Sequence, residues 1–182
     1  MVKGFEGKLV RLVPLDRERH FENCYRWIND PEVCENLLMD PPVSRLTEED
    51  WFAGACKGGN QTVFAIETLD GVHLGNSGVH GIDYKNGRAH TGSYIADPRN
   101  RSKGYGTDAA RVRARYCFDI LGLRLLTSSY LGHNAPSQRM QEKSGYLEYG
   151  RLPGAFWKRG QFVDEVLTHL TRERYLELRG QW

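Results

Sequence analysis

No two of the four cysteines, Cys24, Cys34, Cys56 and Cys117, stand in C-x-x-C spacing. That argues against a zinc or redox motif and leaves buried free thiols as the reading. No apolar run approaches membrane-spanning length, and Lys3, Glu6 and Lys8 break up the first ten residues, which argues against a secretory leader. An excess of charge is missing too: 25 Lys and Arg face 23 Asp and Glu, a net +2. Neither nucleic acid nor an anionic membrane is therefore expected as a partner. Repeats and low-complexity tracts are absent. What remains is an ordinary globular composition, 40% hydrophobic and 26% charged. The expectation is a single domain over residues 1–182, with a real core, cytoplasmic and without metal.

The first part of the chain reads as a strand over Lys8–Leu15, ending at Pro14, then a helix capped by Asp16 with Phe21, Cys24, Tyr25 and Ile28 on one face. A short helical piece begins at Pro31, and Thr47 reads as the cap of another helix with Glu48, Glu49 and Asp50 in its first turn. The period then changes to two. Thr62–Thr68, Val72–Ile82 and Arg88–Ala96 read as strands joined by turns at Asp70-Gly71 and Asn86-Gly87, with a bulge expected among Gly75, Gly78 and Gly81. A helix follows from Gly104 to Leu121, with Asp108 on its outer face and an Arg115–Asp119 pair four apart. Arg124–Tyr130 is the next strand and should run parallel to Arg88–Ala96, because a helix separates them. A helix over Pro136–Ser144 ends at Gly145, and strands over Tyr146–Gly150 and Phe162–Arg172 are joined by a loop around Pro153–Gly160.

The segment Arg101-Ser102-Lys103-Gly104-Tyr105-Gly106 has the make-up of a phosphate loop. Its glycines allow positive φ and close approach, its N–H groups converge at a helix N-terminus, and Arg99, Arg101 and Lys103 add charge. A plain helix-start turn would use the same residues, so the loop is weak evidence alone. The residues at fixed distances beyond it are Asn134-x-x-Ser137 and Glu142-Lys143-Ser144-Gly145-Tyr146.

Together these runs resemble the GNAT superfamily of N-acetyltransferases, and within it the RimJ/RimL-type branch. Arg101-x-x-Gly104-x-Gly106 is similar to its pyrophosphate loop, and Trp27-Ile28-Asn29-Asp30-Pro31 to an early W-x-N-D-P stretch. Gly160 and Asp164 are similar to the closing G-x-x-x-D. The resemblance implies an α/β (α+β mixed) GNAT fold: a mostly antiparallel twisted sheet of about 6–7 strands with a splayed parallel pair and helices on both faces. It implies acetyl-CoA as co-substrate and a primary amine, a protein N-terminus or a small amine, as acceptor, with a homodimer possible.

The resemblance also implies roles. Arg101, Ser102, Lys103, Gly104, Tyr105, Gly106 and Thr107 would hold the pyrophosphate. Tyr94, Ile95 and Ala96 would offer backbone groups to the pantetheine arm, with Asn134 and Lys143 beside it. An N–H at or beside Ile95 would meet the oxyanion. Ser137, His90 and Asn134 are the catalytic candidates, Ser137 as proton donor to the leaving thiol. His90 stands where the branch often carries a glutamate base in an A-E-x-G pattern. Each has a structural alternative: Asn134 as a helix cap, Ser137 as a first-turn residue, Lys143 as a solvated side chain and His90 as an ordinary strand histidine. Two functions follow, an active N-acetyltransferase or a CoA-binding domain without catalysis that acts as a sensor or interaction module.

Overall fold

The computed structural model describes residues 4–182. The strands are β1 (Phe5–Glu6), β2 (Val10–Pro14), β3 (Thr62–Thr68), β4 (His73–Asp83), β5 (Arg88–Ile95), β6 (Leu125–Leu131), β7 (Leu147–Lys158) and β8 (Gln161–Thr171). They form one eight-stranded sheet in the order β1-β2-β3-β4-β5-β6-β8-β7. Among the described residues, only β5 and β6 pair in parallel. The expected six or seven strands become eight because Phe5–Glu6 adds a short edge strand to β2.

The helices are α1 (Arg17–Ile28), α2 (Pro31–Cys34), α3 (Arg45–Lys57), α4 (Tyr105–Arg115), α5 (Ala135–Lys143) and α6 (Arg172–Leu178). One core cluster joins Val79, Ala89 and Leu126 of the sheet to Ala114 of α4, Phe118 just after it and Tyr175 of α6. A second packs Val10, Leu12, Phe64 and Ile66 under Ala109 and Val112 of α4. On the opposite face Phe21, Cys24 and Phe52 join α1 to α3. Helices therefore cover both faces.

Several local readings change. Ser44, not Thr47, caps α3, its side chain accepting from the Thr47 N–H. The long helix expected through Leu121 is α-helical to Arg115, then widens to a π turn over Tyr116–Ile120 before Gly122 at φ +68°. The Arg115–Asp119 pair does not form: Arg115 donates to the Glu6 carbonyl, while Asp119 accepts from Tyr175. The expected loop over Pro153–Gly160 is mostly strand. β7 runs to Lys158, bulged between Leu152 and Phe156, and turns into β8 at Arg159-Gly160.

A buried ionic cluster fixes α1 to the sheet. Glu67 on β3 is fully buried and accepts from Arg11 Nε at 3.1 Å, from Arg19 and from His20 Nε2 at 2.9 Å. The Asp16 N–H donates to His20 Nδ1, so His20 carries its proton on Nε2 and gives it to Glu67.

Candidate functional site

The β5–β6 ladder spans only Arg88–His90 against Leu125–Thr127. Beyond those rows β5 continues to Ile95 and β6 to Leu131 without pairing, and a gap opens between them. Ser128 closes its base: its hydroxyl donates to the Thr91 carbonyl at 2.8 Å. Gln141 of α5 holds Ser128 from behind, with Nε2 at 3.3 Å from Ser128 Oγ.

Backbone direction alternates along β5. The Ala96 N–H is used by the Leu74 carbonyl on the β4 side, so Tyr94 also faces that ladder. Ser93 and Ile95 then turn their N–H groups to the gap. Of Tyr94, Ile95 and Ala96, Ile95 has the backbone direction an arm in the gap would need. Tyr94 contributes its ring, 6.2 Å from Trp27 and edge-on to it. Arg101 folds back over this end, its Nε donating to the Ile95 carbonyl at 3.3 Å and its Nη2 to the Ala96 carbonyl at 3.1 Å.

The glycine loop sits at the mouth of the gap. Ser102 has φ +62° and Gly104 φ +89°. Gly104 is the N-cap of α4 and, among the described residues, no side chain caps this end. The first N–H to find an intrahelical partner is that of Asp108, bonded to the Gly104 carbonyl at 2.9 Å. The N–H groups of Tyr105, Gly106 and Thr107 are thus left at the positive end of the helix dipole. Asp108 lies in this first turn and would repel an anion if it faced outward. It is instead buried, accepting from the N–H groups of Lys8 at 3.1 Å, Leu9 at 2.7 Å and Val10 at 3.0 Å. This corrects its reading as an outer-face residue and leaves the turn electropositive. Lys103 is exposed and reaches Asn100 Oδ1 at 3.4 Å. The donor set suits a diphosphate.

Asn134 caps α5, its Oδ1 accepting from the Ser137 N–H at 3.1 Å. The cap is compatible with a second role, because it uses the oxygen and leaves the NH2 group to donate. Ser137 is half-buried in the first turn, and its hydroxyl has no partner among the described residues. Lys143 is exposed at the far end of α5.

The α1 side of the sheet forms the second wall. Across β4 and β5 the register sets Asn76 beside Tyr94, Gly78 beside Gly92 and His80 beside His90. Asn76 Nδ2 donates to the Tyr94 hydroxyl at 3.0 Å, and Asn76 Oδ1 accepts from His73 Nε2 at 3.1 Å. Burial lowers the His73 imidazole to about 4 and pushes the Tyr94 phenol well above its ordinary value. His90 is exposed, with Nδ1 3.3 Å from Thr127 Oγ1. The atoms packed round its ring, and then the Arg113 cation, lower its pKa, and Glu165 raises it; because the ring is exposed, water screens much of this.

Two residues escaped the sequence reading. His80 is half-buried beside His90, and alternation alone does not distinguish it from a packing residue. Glu48 reads in the sequence only as an acid in a helix's first turn, yet it is buried on α3 and desolvation raises its pKa to about 7. Among the described residues, no group of three or more His, Cys, Asp or Glu could hold a metal ion, and no helix is long and apolar enough to cross a membrane.

The profile of the acetyltransferase (GNAT) domain family matches residues 10–147, and the chain belongs to that family, whose acetyl donor is acetyl-CoA. The SPbeta prophage-derived uncharacterized N-acetyltransferase YokL of Bacillus subtilis is 27% identical over 142 residues, 77% of this chain and 72% of its own. The uncharacterized N-acetyltransferase YnaD of the same organism is 26% identical over 168 residues, 88% of this chain and 95% of its own. Among solved structures, a spermidine N-acetyltransferase from Vibrio cholerae in complex with CoA and spermine superposes with a TM-score of 0.85 at 20% identity. It covers 92% of this chain and 98% of its own, and at that identity the likeness speaks to the fold. A GCN5-related N-acetyltransferase from Brucella melitensis has a TM-score of 0.78 at 25% identity, covering 99% of this chain and 85% of its own.

Proposed function

We propose that the protein transfers the acetyl group of acetyl-CoA to a primary amine, a protein N-terminus or a small amine, by direct attack. The observation that carries this reading is the uncapped, glycine-started N-terminus of α4 facing the unpaired ends of β5 and β6. When bound there, acetyl-CoA supplies an activated thioester. The N–H groups of Tyr105, Gly106 and Thr107 hold its diphosphate, with Lys103 adding charge. Ser93 or Ile95 donates an N–H to the developing oxyanion. Asn134 offers its amide to the arm. Ser137 gives a proton to the leaving sulfur. The histidine pair on the α1 side, His90 included, is where the ammonium loses its proton, since an alkyl amine with a pKa of about 10 arrives charged.

Two of the acids around α2 are held in ion pairs, which supports a single amine over a polycation as acceptor. Glu35 is paired with Arg159, Asp40 with Lys158, and Asp30 caps α2. The RimJ/RimL-type branch, and the homodimer that goes with it, stay part of this proposal, and size-exclusion chromatography tests the second. The activity is tested by thiol release from acetyl-CoA with N-terminal peptides, amino acids and spermidine. Turnover on at least one amine is expected. Tight CoA binding with no turnover on any of them would make the protein a sensor.

A further inference from the structure

On the α1 side of the sheet, the rows Asn76–Tyr94, Gly78–Gly92 and His80–His90 follow one another across β4 and β5. The middle row has no side chains. A Cβ built on Gly92 meets nothing within 4 Å, so space stands open above it. Gly92 adjoins Ser93, whose N–H faces the gap between β5 and β6. The open space therefore lies beside the place where the thioester would lie.

The two imidazoles at the end of this space differ in aim. A Cβ on Gly78 would stand 2.8 Å from His80 Cε1 and closer still to Nε2. The His80 ring thus leans along β4 over the glycine row, with Nε2 leading. Its other nitrogen, Nδ1, lies 3.2 Å from Gln61 Oε1. An amide oxygen only accepts, so Nδ1 carries the proton and Nε2 the lone pair. His90 is instead exposed and tied sideways to Thr127 on β6.

We propose that Gly92 is the floor of the acceptor slot, walled on the Gly78 side by the His80 ring, and that His80, through Nε2, is the group that takes the proton from the incoming ammonium. This rests on the acetyl-transfer reading above and assigns its base. The N–H bond of the ammonium breaks and its proton goes to His80 Nε2, giving an imidazolium. The neutral nitrogen then bonds to the acetyl carbon, the C–S bond breaks, Ser137 gives its hydroxyl proton to the CoA sulfur, and the second proton shed by the nitrogen restores the Ser137 hydroxyl. His90 faces His80 from β5, while Arg113 of α4 lies across the sheet, bound to Ser77 and the Gly92 carbonyl; burial, then the charges of these two groups, hold the His80 imidazole below the ordinary range. It is therefore neutral and ready to accept near pH 7.

The test uses the full chain, acetyl-CoA and three nucleophiles: spermidine, an alanine-terminated tripeptide and hydroxylamine, which is already neutral at pH 7. In His80→Gln, turnover on whichever alkylamine the wild type accepts should fall about 100-fold, the scale of a lost general base. Turnover on hydroxylamine should change less than about threefold, because no proton has to be removed first. His90→Gln should cost less than His80→Gln. Gly92→Ala fills open space at an ordinary φ, so it should fold; its KM for the alkylamine should rise about tenfold with CoA affinity unchanged. Equal losses on all nucleophiles, a larger loss in His90→Gln, or an unaffected Gly92→Ala would overturn the assignment. A wild type that turns over none of the three would instead defeat the acetyl-transfer reading.

Discussion

The carboxylate of Asp108, in the first turn of α4, rests against the backbone of Gly7, where a Cβ would come within 2.8 Å of Asp108 Oδ1. The glycine lets the turn before β2 wrap the carboxylate and direct three N–H groups into it. An acid that would oppose a diphosphate is thereby spent on the fold. Asp108→Asn removes the charge and one acceptor, leaving buried N–H groups unpaired. A loss of about 2 kcal/mol is expected, lowering the melting temperature by about 4–8 °C in a domain of this size. Thermal unfolding reads this directly, and an unchanged midpoint would mean that water replaces the carboxylate without cost.

Gly104 gives the most direct test of the phosphate loop. Its φ of +89° costs an L-residue about 1–2 kcal/mol, and its Cβ would meet Leu9 Cδ1 at 3.1 Å. Gly104→Asp adds a negative charge to that strain at the place the N–H groups leave for an anion. CoA affinity should fall at least about 100-fold by calorimetry. Retained affinity would place the diphosphate elsewhere.

Much of this was legible in the residues. The switch from period four to period two at Thr62, the two hairpin turns and the helix between β5 and β6 carry the meander and its parallel crossover. Glycines at 104, 122 and 145 mark helix ends because each stands at positive φ. One misreading has a clear cause: a side chain that serves distant backbone leaves no local pattern. Asp108 binds the turn before β2, so it does not display its role in its own segment. Pro153 and Gly154 have loop chemistry, yet β7 absorbs them in a bulge against β8. His80 acquires meaning only through the glycine beside it and the strand across from it.

Glu48 predicts a pH dependence. Desolvation raises its pKa from 4.5 to about 7, and it has no hydrogen-bond partner among the described residues. Because the folded pKa lies above the unfolded one, the protonated form is favoured in the fold. Stability from this residue is whole below about pH 4.5 and falls as pH rises toward 7, by up to about 3 kcal/mol. Glu48→Gln should therefore raise the melting temperature at pH 8 while changing it little at pH 4.5. A gain of equal size at both pH values would show that burial does not hold the proton.

Asn134 and Ser137 share one hydrogen bond but are assigned different work, and variants can separate it. Asn134→Ala loses the α5 cap and should cost about 1 kcal/mol of stability. Asn134→Asp keeps an oxygen acceptor at the helix start, loses the NH2 donor and adds a negative charge. It should hold the melting temperature while raising the KM for acetyl-CoA several-fold. Ser137→Ala leaves that cap in place, since the bond uses the Ser137 backbone. Its kcat should fall by about tenfold to a hundredfold, at or below the usual scale for a proton donor because a thiolate leaves readily. CoA affinity should stay within about twofold, as no diphosphate donor is touched. Thiol-release kinetics with calorimetry on all three variants decide the matter. Full activity in Ser137→Ala would return the serine to a plain first-turn residue, and an unchanged KM in Asn134→Asp would do the same for the asparagine amide.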